Sequence, residues 1–169
     1  MIDMGYGVKL GPVLEKVLPT LYNWRNDPRL YANFRQYRPI TMDEHLEWYR
    51  GLQRNPSVRM FVVGIDDEMR GVCGLTSIDR INSRAELSCY LDPNHDTKEA
   101  DCLRTLIKYA FTRENLHTVY AEVFDTNTRK LEILKEIGHD VCVNTITIPY
   151  RYYRDGKYIS SHMFTYWRD

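Results

Sequence analysis

The chain predicts a mixed α/β (α+β) fold: a mostly antiparallel, twisted sheet flanked by about four helices and finished by a C-terminal β-hairpin. Three observations predict it. Residues 60–91 carry three strand-like segments separated by short, turn-rich stretches. Two segments of helical periodicity, around Leu103 and Leu131, each follow a strand-like segment. Asp155-Gly156 sits between two long runs rich in β-branched and aromatic residues, the pattern of a tight hairpin.

Taken in order, a short strand is expected near Val8 to Leu10. Helical character follows from Val13 to Arg25, interrupted by Pro19 and stopped by Asn26-Asp27-Pro28. Thr41 with Glu44 has capping-box spacing, and Met42, His45, Leu46, Tyr49 and Leu52 continue an amphipathic helix toward Asn55-Pro56. Two helices thus precede the sheet. Met60 to Ile65, Gly71 to Ile78 and Ala85 to Leu91 read as an antiparallel meander, with turns at Asp66-Asp67 and Ile81-Asn82-Ser83. A turn centred near Ile81 pairs residues whose numbers sum to 162, which sets Thr76 opposite Glu86 and Cys73 opposite Cys89.

Leu103, Leu106, Ile107, Ala110 and Phe111 then line one face of a helix, and Asp96 with Glu99 has the spacing to cap it. Thr118 to Phe124 is a strand. A helix from about Thr128 places Leu131, Leu134 and Ile137 inward and stops at Gly138, expected in the left-handed position after a helix end. Val141 to Arg154 and Lys157 to Trp167 form the hairpin.

At 169 residues, one domain spanning 1–169 is expected. Lys plus Arg and Asp plus Glu number 23 each, so no overall field favours nucleic acid or membrane. Cys73, Cys89, Cys102 and Cys142 lack metal-ligand spacing and read as reduced thiols; no metal site is expected. With no signal-like start and no apolar run of spanning length, a cytoplasmic protein without membrane contact is expected.

The element order, with the segments LYNWRNDP, RPITMDEHLEWY, AELSCYLDP, LIKYAFTRENLHTVYAEVFDTN, LKEIG and YRDGKY, resembles the GNAT acyltransferase superfamily and, within it, the ribosomal-protein N-acetyltransferase branch. The resemblance implies an N-acetyltransferase that moves an acetyl group from acetyl-CoA to an amine of a small molecule or a protein. It also implies a strand that splays from its neighbour to admit acetyl-CoA, and a glycine loop, R/Q-x-x-G-x-G/A, cradling the diphosphate. Here the three motif positions fall on Asn94, Thr97 and Glu99, and no glycine occurs between Gly74 and Gly138. Acetyl-CoA binding is therefore expected to be weak, with the carboxylates of Asp96, Glu99 and Asp101 at the phosphate position.

On the same resemblance, Glu86 stands where relatives place the carboxylate that takes a proton from the acceptor amine. Two roles are open to it: proton acceptor, or a strand carboxylate paired with a base such as Arg84 or facing solvent. Thr76, Ser88 and Tyr90 share its face by strand alternation. The cofactor-binding set is Ser88, Cys89, Tyr90 and Leu91 on the strand, Asn94, His95, Thr97 and Lys98 in the loop, and Asn127 before the next helix. The tyrosine that relatives use as general acid is replaced by Leu134, and the aromatic after the glycine by His139.

Tyr150-Arg151-Tyr152-Tyr153-Arg154 interleaves aromatic and basic groups, a pattern that suits nucleic-acid stacking, a homodimer contact or a wall of the acceptor site. The alternative to the enzyme is therefore a protein of the same fold without normal acetyl-CoA binding, acting as a binding module or modifying nucleic acid with another donor.

Overall fold

The computed structural model describes residues 1–95 and 97–169. The elements run β1 (Ile2–Asp3), β2 (Lys9–Pro12), a 3-10 turn (Glu15–Val17), α1 (Leu18–Arg25), α2 (Pro28–Tyr31), α3 (Met42–Leu52), β3 (Arg59–Ile65), β4 (Glu68–Asp79) and β5 (Arg84–Leu91). After these come α4 (Glu99–Thr112), β6 (Thr118–Phe124), α5 (Thr128–Ile137), β7 (Cys142–Arg154) and β8 (Lys157–Trp167). The strands form one sheet in the order β1-β2-β3-β4-β5-β6-β8-β7. Its β5–β6 neighbours are parallel and the other neighbours antiparallel.

Alternation along the strands gives the sheet two faces with different tasks. Phe61, Val63, Cys73, Leu75, Ala85, Leu87, Val119, Ala121, Val123, Phe164 and Tyr166 join the buried face of α4 in one core. On the other face, Met60, Thr76, Ser88 and Tyr90 line a cavity with Arg25 of α1 and His45 and Trp48 of α3. His45 is 1% exposed, its Nε2 lies 3.1 Å from the Leu18 carbonyl oxygen, and its ring stacks on Trp48. It is a packing residue of the helical layer.

The meander has the predicted register: Cys73 opposes Cys89 and Thr76 opposes Glu86. The cysteines are free thiols. Both tight turns carry residues in the left-handed region, Asp66 and Asp67 at φ 50° and 61°, and Asp155 and Gly156 at φ 48° and 82°. That geometry matches the twist of the strands they join. In the long hairpin the register slips between Ile148 and Tyr152, where Pro149 has no N–H to give the ladder.

Other expectations are corrected. Pro19 lies in the first turn of α1 and does not interrupt it, because the N–H it lacks would have had no partner there. Asn26-Asp27-Pro28 ends one helix and starts another: the Asp27 side chain accepts from Arg29 N, and Pro28 opens the short α2. Three helices therefore precede the meander. α4 begins at Glu99 with Lys98 as its cap residue, so Glu99 is the first helical residue and not the fourth of a capping box. Asp96 lies outside the described residues.

Gly138 caps α5 at φ −61°, a right-handed conformation, against the left-handed one expected. Space explains the glycine: a Cβ would meet Val143 Cγ1 at 2.8 Å and the Lys135 carbonyl oxygen at 3.1 Å. Gly138→Ala should therefore cost about 1–3 kcal/mol through crowding, although alanine suits the backbone. Urea unfolding of this variant and of Gly138→Ala/Val143→Ala, which removes the nearest atom, would check it; the second change should recover part of the loss.

The α3 capping box is present as predicted, with Glu44 N donating to Thr41 Oγ1 at 3.2 Å and Thr41 N donating to Glu44 Oε2 at 2.8 Å. Hydrogen bonding from the Arg38 guanidinium, then from Thr41 N, brings the Glu44 pKa down from 4.5 to about 2. A carboxylate depressed on folding stabilises the native state above its unfolded pKa, and the contribution fades as pH falls through the folded value. The difference in melting temperature between the chain and Glu44→Gln should thus stay constant above about pH 5 and narrow toward about pH 2. A difference that does not change with pH would show that the charge of Glu44 is not used.

Candidate active site

β5 and β6 pair at Arg84–Thr118, Ala85–Val119 and Glu86–Tyr120, and among the described residues no further pairs follow. Both strands continue, β5 to Leu91 and β6 to Phe124, so they diverge around a gap. On its other edge β5 remains tied to β4, and just beyond it Asp92 N donates to the Arg70 carbonyl oxygen at 2.7 Å. Alternation then turns the backbone groups of Leu87, Cys89 and Leu91 toward the gap. The Cys89 carbonyl oxygen confirms the direction, because it accepts from Lys130 Nζ across the gap at 3.3 Å.

The gap opens into a cavity of about 590 Å³ lined on β5 by Glu86 to Leu91, on β6 by Glu122 to Phe124, and on the helical side by Phe34 and Arg35. Glu86 sits where the strands part. It is 8% exposed and ion-paired with the Arg35 guanidinium. Arg84, the partner anticipated from sequence, reaches Asp79 instead at 3.7 Å, its cross-strand neighbour on β4.

Two residues further along β6, Glu122 faces the same cavity. Its side chain is 5% exposed and accepts from Ser161 Oγ at 2.7 Å and Tyr152 Oη at 3.1 Å. Arg151 Nε approaches at 3.4 Å and Arg35 Nη1 at 3.8 Å. Arg35 therefore bridges two carboxylates from neighbouring strands. Its segment is held by the hairpin tip: Arg154 donates to the Arg35 carbonyl oxygen at 2.9 Å, and Tyr37 Oη donates to Asp155 at 2.9 Å. The Arg151 and Arg154 groups of the aromatic-basic stretch are engaged in these contacts within the chain.

The structure brings Glu86, Thr76, Ser88, Cys89, Tyr90, Leu91 and Asn127 to the cavity. Tyr90 packs against Phe34, and burial raises its phenol pKa, with Arg25 opposing. Asn127 accepts from Lys130 N at 3.2 Å and so caps α5 as well as lining the cavity. Asn94, His95, Thr97 and Lys98 do not line this cavity, for a local reason. The chain turns outward after Pro93: Asn94 Oδ1 accepts from Arg29 at 3.1 Å, His95 Nδ1 lies 3.0 Å from Asp92, and Lys98 Nζ lies 3.3 Å from Asp101. Leu134 is fully buried in the core and offers no acid.

Sequence reasoning missed Arg35, Glu122 and Lys130. Glu122 gave no signal by periodicity, since it occupies an ordinary polar position in an alternation whose core members are Val119, Ala121 and Val123; its one cue is a carboxylate on the face that Glu86 presents from the neighbouring strand. Lys130 had a signal, since a cation in the first turn of a helix opposes the helix dipole. Arg35 had none, because it lies outside regular structure and 51 residues from its partner.

A family model described as Acetyltransferase (GNAT) domain matches residues 8–140. The acetyltransferase PseH of Campylobacter jejuni subsp. jejuni serotype O:23/36 (strain 81-176) is 28% identical over 116 residues, covering 69% of this chain and 72% of that protein. The spermidine N(1)-acetyltransferase of Escherichia coli (strain K12) is 25% identical over 138 residues, covering 80% and 74%. The spermidine N-acetyltransferase of Vibrio cholerae, solved with CoA and spermine, superposes with a TM-score of 0.84 at 21% identity over 94% of each chain. That last likeness is one of fold.

The two carboxylates should differ in their weight for stability. Glu122→Gln disturbs a buried acceptor with several donors and should cost about 2 kcal/mol in urea unfolding, whereas Glu86→Gln, whose partner Arg35 is half exposed, should cost under about 1 kcal/mol. Equal losses would show that Glu86 is as structural as Glu122.

Proposed function

The chain belongs to the GNAT acetyltransferase family, and on that premise we propose that it transfers an acetyl group from acetyl-CoA to the primary amine of a cationic small molecule. The observation that carries the reading is the pair of inward carboxylates, Glu86 and Glu122, bridged by the Arg35 cation at the point where β5 and β6 part. A protonated amine has the charge to take Arg35's place. Arg35 is suited to yielding, since its side chain is 55% exposed and its segment lies outside regular structure.

The residues present fit the acyl-bearing arm of acetyl-CoA. The β5 edge from Leu87 to Leu91 faces a cavity, and among the described residues it has no strand partner on that side. When bound, acetyl-CoA supplies an acetyl thioester, which an amine can attack. Backbone N–H groups on the β5 edge orient and polarise its carbonyl, at fixed positions that need no reorganisation. Glu86 receives the proton the acceptor ammonium must lose before its nitrogen can attack. Glu122, held by Ser161, Tyr152 and Arg151, stays in place as a second anion beside the amine. Phe34 and Tyr90 form the apolar side of the acceptor pocket.

The reading is tested by following thiol release from acetyl-CoA with spermidine, an amino sugar and a peptide carrying a free N-terminus. Turnover is expected with spermidine ahead of the other two. Preference for the peptide would instead support the protein-directed branch implied by the local segments. Glu86→Gln should lower kcat by about 10²-fold or more with little change in acetyl-CoA affinity, as for loss of a proton acceptor. Arg35→Ala should lower KM for the amine. An unchanged Glu86→Gln rate would remove Glu86 from the chemistry.

A further inference from the structure

The cleft holds one more ion pair, between Lys130 of α5 and Glu99 of α4. Both side chains are largely buried, at 18% and 13% exposure. Lys130 also donates to the Cys89 carbonyl oxygen, so its ammonium stands inside the gap between the diverging strands. Burial opposes that charge most strongly, but Glu99 and the neighbouring Cys89 and Cys102 together outweigh it and the Lys130 pKa is raised. A first-turn lysine does not serve its own helix, whose dipole it opposes. Its place is explained by what lies across the gap.

A diphosphate entering this cleft needs positive partners, and the segment from Asn94 to Glu99 has no glycine to let backbone N–H groups approach. Other cations nearby are engaged by carboxylates: Lys98 with Asp101, Arg104 with Asp101, Glu136 and Asp140, and Arg29 with Asp27. Arg29, Arg35 and Arg129 line the cavity too, but Lys130 differs from Arg29 in donating to the β5 edge itself, at the Cys89 carbonyl oxygen, where a ligand can compete for it.

Resting on the acetyl-CoA reading above, we propose that Lys130 is the diphosphate ligand of this chain, exchanging the Glu99 carboxylate for a phosphoryl oxygen when acyl-CoA enters. The ammonium trades one oxyanion for another and stays paired throughout, while Glu99 is released toward water. Glu99 thus holds the lysine in place before binding and competes with the ligand for it. The pair stands in for the missing glycine loop.

Calorimetric titration of the folded chain with CoA tests the exchange. Lys130→Met should weaken CoA binding roughly tenfold or more, Lys130→Arg should restore part of it, and Glu99→Gln should tighten it. S-acetyl pantetheine carries the arm without the diphosphate; followed by NMR shift perturbation, its affinity should not change with Lys130→Met. Because Lys130→Met leaves Glu99 unpaired, Lys130→Met/Glu99→Gln provides the folded control and should also bind CoA weakly. CoA binding to Lys130→Met or the double variant as tight as to the original chain, or tighter, would overturn the proposal and make the lysine a strut closing the cleft. A native chain that binds S-acetyl pantetheine but not CoA would also overturn it, while leaving the cleft's use for the arm intact. Binding of neither would overturn the acetyl-CoA reading itself.

Discussion

Parallel strands that stop pairing leave backbone donors and acceptors facing a gap, and in an otherwise closed sheet such a gap is costly unless something fills it. Here β5 and β6 part after Glu86 and Tyr120. On one side of the gap lies the core built on α4, which fixes β5 through Ala85, Leu87 and Leu91 and β6 through Val119, Ala121 and Val123. The outer strands cannot close the gap, because β6 is held by β8 over its whole length and β5 by β4. The opening is built into the packing.

The polar residues at the opening follow from it. Glu86 marks the point of divergence, Glu122 lies across from it, and Lys130 reaches the exposed Cys89 carbonyl farther along. Buried charges need partners, and each has one from a different element: Arg35 before α3, the β7–β8 hairpin, and Glu99 of α4. The cavity thereby carries carboxylates where the strands part and a lysine farther along β5. Ion pairs at both places keep these charges compensated.

The hairpin joins this division to the fold. β8 completes the sheet against β6, and the same two strands send Arg151, Tyr152 and Ser161 to Glu122 and Arg154 to the Arg35 segment. The surroundings of Glu122 and Arg35 and the completion of the sheet therefore rest on the same two strands.

Much of this was legible from local sequence. Period-two alternation, the Thr41–Glu44 box and the Asp155-Gly156 turn determined the meander, α3 and the hairpin, because each depends on contacts within a few residues. The turn near Ile81 even set Thr76 opposite Glu86. Local spacing misled where a residue served a distant neighbour: Gly138 makes room for Val143, and Glu99 answers to Lys130 instead of its own helix cap. The bridge of Arg35 across Glu86 and Glu122 was decided by tertiary structure alone. A long side chain chooses its partner by reach across packed layers, and no periodicity along the chain records that distance.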